Sequence, residues 1–347
     1  MNKQQILTDQ KLSKANLSLR NSLIYSVILF VLVGGLVIAA PGLRGVWDQI
    51  GQMEKIWIIV AVACRLISCL GYVVAFLQVF VGTPKFFGSG VALSELAFGN
   101  AVSLGGAGGL VVGGWLMVER GAKPKTVAQR SAVLFLLTSA INIITLIAVS
   151  LGLLFRILPG PKNIELSLLP AIFSVAVFLF FMFLPKFVDR LTAKLKPGRI
   201  TKFLNQSATA VRDTGSLLLP IDWHIIGAIA YLWGDIGALI ACFAALGHIP
   251  PFAAIVLAYQ LGYLADVIPI PGSVGILDAS FVGLMVIYGI NATNATAATL
   301  VYHTITVWIP AVLGTSAYIL VKRTKDHPIN LNKLIRFIHS ANDNLKA

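Results

Sequence analysis

The sequence predicts an all-α polytopic membrane protein, with six full transmembrane helices plus two re-entrant broken-helix hairpins of opposite orientation, an inverted-repeat-like plan. Three observations predict it. Of the 347 residues, 57% are apolar and 12% charged, against about 45–50% and about 25% in an ordinary soluble domain, which excludes a water-soluble globule. The 27 basic residues fall in short clusters between long apolar runs. That distribution fixes membrane orientation and does not build a nucleic-acid surface, so no nucleic-acid partner is expected. Two of the runs are interrupted by glycine or proline near their middles.

Six uninterrupted stretches, 21–41, 56–82, 131–155, 167–185, 223–246 and 296–321, are long enough to cross about 30 Å of hydrocarbon as helices. The first follows a basic arm, residues 1–20, and its uncharged length exceeds the roughly 7–15 residues of a cleaved leader's apolar core, so it reads as a span. The interrupted segments are 88–118, broken at Ser103-Leu-Gly-Gly-Ala-Gly-Gly109, and 252–290, broken at Ile268-Pro-Ile-Pro-Gly-Ser-Val-Gly275. Each half, about 15–17 residues, covers only about 22–26 Å as helix and falls short of a crossing.

Charge then assigns the sides. Lys3, Lys11, Lys14 and Arg20 form one basic cluster, and Arg120, Lys123, Lys125 and Arg130 a second. A third runs from Lys186 to Arg212, and Lys322, Arg323 and Lys325 make a fourth. All four belong on the cytoplasmic side. With six helices crossing and both interrupted segments returning to the face they entered, every cluster lands there. Both termini are then cytoplasmic, in a multi-pass protein of the cell's inner membrane. Hairpin 88–118 enters from the cytoplasm and 252–290 from the opposite face, and both breaks are expected to line an internal cavity that satisfies their backbone. Gly105-Gly-Ala-Gly108 with Gly121 parallels Gly272-Ser-Val-Gly275 with Gly289 at an offset of 167–168 residues, the pattern of an inverted repeat with its site at the midplane. Ordinary short helices with packing glycines are the alternative, which stays open.

The expected organisation is a cytoplasmic basic arm, 1–20, a transmembrane domain, 21–325, that includes a cytoplasmic linker, 186–222, and a cytoplasmic amphipathic tail, 326–347. Phe187, Leu191 and Leu195 in the linker, and Leu331, Leu334, Ile335 and Ile338 in the tail, recur at helical spacing. They read as helices lying on the membrane surface or packed on other loops.

Ionisable groups at membrane depth are functional candidates: Arg65, Glu95, Asp235, Asp266, Asp278 and His303. Arg65, about nine residues into its span, requires an acidic partner or an anionic ligand, and a structural pair with Glu95, Asp235 or Asp266 is as open as headgroup binding. Half-helices beginning at Gly108 and Gly275, after the turns at Gly105 and Gly272, present free N–H groups that suit a phosphate. Asp266 ends a half-helix where the dipole gives an acid nothing, so it is a candidate for proton or cation coupling together with Asp278, His303, Glu95 and Asp235. Asp278 also has a capping reading, and His303 one as a hydrogen-bonded core histidine. Cys64, Cys69 and Cys242 show neither disulfide nor metal spacing. There is no nucleophile elbow, zinc motif or P-loop, so neither enzymatic activity nor a metal or cofactor is expected.

The stretch Ala265-Asp-Val-Ile-Pro-Ile-Pro-Gly-Ser-Val-Gly-Ile-Leu-Asp-Ala279, then Gly289-Ile-Asn, then Val301-Tyr-His-Thr-Ile-Thr-Val-Trp-Ile-Pro-Ala-Val-Leu-Gly314, resembles the lysylphosphatidylglycerol synthase transmembrane region, also called the flippase-like or UPF0104 membrane proteins. The resemblance runs over roughly 20–325 and is strongest at 262–314. Members often carry Glu at the position of Asp278 and Arg at that of His303, so this chain lacks a permanent cation in its last helix. The soluble aminoacyl-transfer domain of the bifunctional members is not among these residues. The resemblance therefore implies the translocating activity, movement of an anionic phospholipid or isoprenoid-linked headgroup between leaflets, and not lysine transfer. Two other readings stand beside it: a proton- or cation-coupled transporter of a small solute, and a noncatalytic membrane subunit of a lipid-modifying or glycosyl-transferring enzyme. Membrane lipids are the expected partners, with a homo-oligomer or such an enzyme compatible.

Overall fold

A computed structural model of the chain describes residues 45–101, 107–161, 163–193, 198–218, 225–266 and 281–323. In chain order its helices are α1 (Gly45–Gly51), α2 (Lys55–Val79), α3 (Lys85–Ala101), α4 (Ala107–Glu119), α5 (Pro124–Leu154), α6 (Glu165–Thr192), α7 (Arg199–Leu218), α8 (Ile226–Ala245), α9 (Phe252–Asp266), a short helical stretch at 281–287, and α10 (Ala292–Arg323). Five of these, α2, α5, α6, α8 and α10, are long and apolar enough to cross a membrane. They coincide with five of the six expected spans. The sixth, 21–41, lies outside the described residues, as do the basic arm and the tail.

Helix boundaries differ from the apolar runs for identifiable reasons. α5 starts seven residues before 131, because Pro124 occupies its first turn, where a missing N–H is harmless and the fixed φ suits a helix. α6 continues past 185 to Thr192, so the first part of the expected linker is helix. Most of the rest forms α7, which buries Ala208, Ala210 and Thr214 and packs on α5 and α6. Phe187 and Leu191 stay exposed instead of joining that contact. α10 begins at Ala292 because the Asn291 side chain accepts from the Thr293 N–H at 2.9 Å, an N-cap.

The helix order repeats. α2 ends before Gly82 (φ 90°) and Pro84, then α3 begins; α8 ends before Gly247 (φ 75°) and Pro250-Pro251, then α9 begins. Gly121 (φ 90°) and Gly289 (φ 87°), 168 residues apart, each close a helix with the same motif. The Gly121 N–H donates to Val118 O at 2.9 Å and that of Ala122 to Met117 O at 3.1 Å, while Gly289 donates to Val286 O and Ile290 to Met285 O, both at 2.9 Å. These are left-handed C-caps that only glycine adopts without strain.

The equivalent helices α2 and α8 run antiparallel and make the closest approach in the bundle, the Glu54 N–H at the start of one bonding Ala245 O at the end of the other. Small residues permit it: a Cβ at Gly227 would sit 2.6 Å from the Ala75 nitrogen, and one at Gly234 2.7 Å from that of Ser68. Without a hydrophobic drive between helices in lipid, this backbone contact is what holds them. α8 is the most enclosed of the five spans and α6 the most exposed.

Both interrupted segments fold back as helical pairs. α4 returns along α3, so that Gly109 and Gly113 lie on Glu95 and Phe87 near the start of α3 meets Arg120 just after α4, 4.8 Å from ring centre to guanidinium. Phe281 packs on Gly262 and Tyr259, which brings 281–287 back onto α9. The turn of the first pair, 102–106, and that of the second, 267–280, lie outside the described residues. Arg120 also donates to Val321 O, at 2.7 Å, near the end of α10. In α7, burial pushes the Asp213 carboxyl up, and the nearby Arg130 and Arg212 pull it back. The clusters around Arg120, Arg212 and the end of α10 therefore gather at one end of the bundle, the arrangement that the charge rule demands of a single membrane face.

Candidate functional site

Arg65 lies midway along α2 and Asp235 midway along α8, so the antiparallel crossing of these helices brings the two charges face to face. They form an ion pair, Arg65 Nη1 donating to Asp235 Oδ1, with the two residues each 4% exposed. A buried ion pair offsets its desolvation through further hydrogen bonds, and here all of the paired groups but Arg65 Nε have a partner among the described residues. Arg65 also donates to Ser68 Oγ at 3.3 Å and to Thr306 O of α10 at 3.2 Å, and Ser68 in turn donates to Tyr231 O at 2.8 Å. The other carboxylate oxygen, Asp235 Oδ2, accepts from Tyr259 at 2.6 Å, Tyr302 at 2.8 Å and, at a long 3.4 Å, Tyr263. One carboxylate thus ties together α2, α8, α9 and α10.

Sequence reasoning did not find the tyrosines. A signal existed, since Tyr259 and Tyr263 stand four apart in a mostly apolar helix and so share a face. What it lacked was a target, because Asp235 is on another helix. Rings extend the cluster: Tyr259 and Tyr263 lie 4.7 Å apart, Phe281 stacks 6.2 Å from Tyr302, and His303 lies 5.5 Å from Tyr302.

Glu95 occupies a separate place. It is 3% exposed on α3, its Oε2 accepting from Tyr72 of α2 at 2.7 Å, while Oε1 has no hydrogen-bond partner among the described residues. A side chain at Gly113 would collide with its carboxyl. Of the remaining sequence candidates, Gly108 is the second residue of α4, one position later than the helix start. Asp266 is the last residue of α9, with its side chain outside the description. Gly105, Gly272, Gly275 and Asp278 lie outside the described residues. No group of three or more His, Cys, Asp or Glu side chains that could hold a metal occurs among the described residues.

Residues 23–314 match the protein family described as "Lysylphosphatidylglycerol synthase TM region". A curated relative, a "UPF0104 membrane protein" from Methanothermobacter thermautotrophicus, is 34% identical over 90 residues, which are 25% of this chain and 26% of the relative. The match thus spans about a quarter of that protein's length. With residues 23–314 matched and five helices long and apolar enough to cross a membrane, the protein is a multi-pass membrane protein that belongs to the lysylphosphatidylglycerol synthase TM region family.

Proposed function

We propose that this protein is a lipid translocase, which moves an anionic phospholipid or lipid-linked headgroup between leaflets with the polar group inside the bundle and the tails in the bilayer. The observation that carries the reading is Arg65, a guanidinium 4% exposed at mid-helix and held by one carboxylate. Phosphate matches a guanidinium in charge and in the geometry of paired hydrogen bonds. Exchange of Asp235 for a headgroup phosphate on Arg65 would keep the guanidinium paired, while the hydroxyls of Tyr259 and Tyr302 hold the released carboxylate in place. Membership of a family named for a phosphatidylglycerol derivative supports the lipid class.

In this reading the helical pairs at 85–119 and 252–290 are re-entrant hairpins that enter from opposite faces. The antiparallel α2–α8 crossing and the return of Arg120 to the start of α3 support it. The glycine-rich stretches expected from the sequence to turn near Gly105 and Gly272, with the helix starts at Gly108 and Gly275, are the proposed places for the phosphate, and Asp266, Asp278, His303 and Glu95 are the groups proposed to move a proton or cation with it. Arg120, Lys194 and Lys322 mark the cytoplasmic face.

Lipid scrambling tests the proposal. Purified protein in liposomes containing fluorescent phosphatidylglycerol should let a membrane-impermeant quencher remove signal beyond the outer-leaflet fraction, faster than with fluorescent phosphatidylcholine. Quenching no greater than in protein-free liposomes would overturn it.

A further inference from the structure

We propose that Glu95 is a proton-binding site, and that its protonated form holds the α3–α4 hairpin closed. Two buried carboxyls, Glu95 on α3 and Asp235 on α8, both meet α2, and their surroundings are opposite. Asp235 has a guanidinium and two short tyrosine hydroxyl bonds. Glu95 has one hydroxyl, that of Tyr72, and an oxygen without a partner among the described residues.

The groups that face Glu95 can be named from each element packed against α3. α2 offers Tyr72, whose ring lies 5.1 Å from Tyr231 of α8. α4 offers Gly109 and Gly113, which bring backbone and no charge. α10 offers Gly314, against Leu93 and Ala97, and Tyr318 against Phe98, 5.5 Å ring to ring. Arg65, on α2 two turns from Tyr72, is engaged with Asp235. No cation reaches Glu95 among the described residues, so an ionised carboxylate there has no countercharge and, at 3% exposure, little access to bulk solvent.

The glycines make this a switch and not only a burial cost. Because α4 lies directly on the Glu95 carboxyl at Gly113, water reaches Oε1 on that side when α4 separates from α3. Ionisation and opening are then one event: the proton leaves for the water that enters, and returns when the hairpin closes. The ligand is a proton and not a metal ion, since a hard cation requires several oxygens and Glu95 meets one other side-chain oxygen among the described residues.

Hydrogen exchange of the full chain in lipid nanodiscs, followed for peptides covering 107–119 from pH 5.5 to 9, tests this. Relative to the rate of the unstructured peptide, exchange in the wild type should rise about tenfold per pH unit over part of that range, the signature of opening linked to loss of one proton. Glu95→Gln should stay closed throughout, and Gly113→Ala, which sets a methyl where the carboxyl lies, should exchange fast throughout. Retention of the wild-type pH dependence in either variant, or its absence in the wild type, would overturn the proposal. So would a sodium effect of equal size at fixed pH. Lipid movement does not enter the measurement, so its outcome is independent of the scrambling assay.

Discussion

At the scale of the residue, Arg65 and Asp235 show how a membrane protein keeps a charge in its centre. The pair is not isolated: deleting one partner strands the other, and deleting Asp235 also strands two tyrosine hydroxyls. Arg65→Met should therefore lower stability by about 3–5 kcal/mol, read as a fall in the detergent unfolding temperature. Asp235→Asn in the same background should recover most of that loss, because the amide oxygen still accepts from Tyr259 and Tyr302 while the uncompensated charge is gone. The two roles of Arg65 separate in the double variant. Stability returning without lipid movement identifies the guanidinium with headgroup binding, whereas recovery of both assigns it to architecture.

At the scale of the element, the two hairpins solve the same packing problem with the large and small residues exchanged. In the first, Glu95 on the leading helix enters the space left by Gly113 on the returning one; in the second, Gly262 on the leading helix receives Phe281. Phe281 stands 168 residues after Gly113, and Gly262 167 after Glu95, so the exchange occurs at equivalent positions of the repeat. A Cβ at Gly262 would lie 2.6 Å from the Phe281 ring, and Gly262→Ala should cost about 1–3 kcal/mol by overpacking. Adding Phe281→Leu should restore part of it. An undiminished penalty in the double variant, measured by thermal unfolding, would show that the second hairpin is not closed by this contact.

At the scale of the whole molecule, the fold is a question of sides. Chain ends that meet in space, Phe87 with Arg120 and Arg120 with Val321, gather the basic clusters at one end of the bundle. Cysteines introduced at 120–125 and at 194–202 should accordingly be labelled by an impermeant reagent only from the cytoplasmic side. Labelling of the first set from outside would make 85–119 a crossing and end the inverted plan.

The apolar runs and their lengths determined the helical class and five observed spans, because desolvated backbone leaves a chain in lipid few options beyond helix. The repeat was legible too, in glycines such as Gly121 and Gly289 whose backbone no other residue adopts as easily. Arg65 was legible as a residue that must have a partner. Which of several acids supplied it was not, since Glu95 stands 30 positions away and Asp235 170, and sequence distance carries no information about which helices cross. Only the tertiary structure decided that α2 lies on α8, which gave Arg65 to Asp235, converged tyrosines from α9 and α10 on the same carboxylate, and left Glu95 with a single hydroxyl among the described residues.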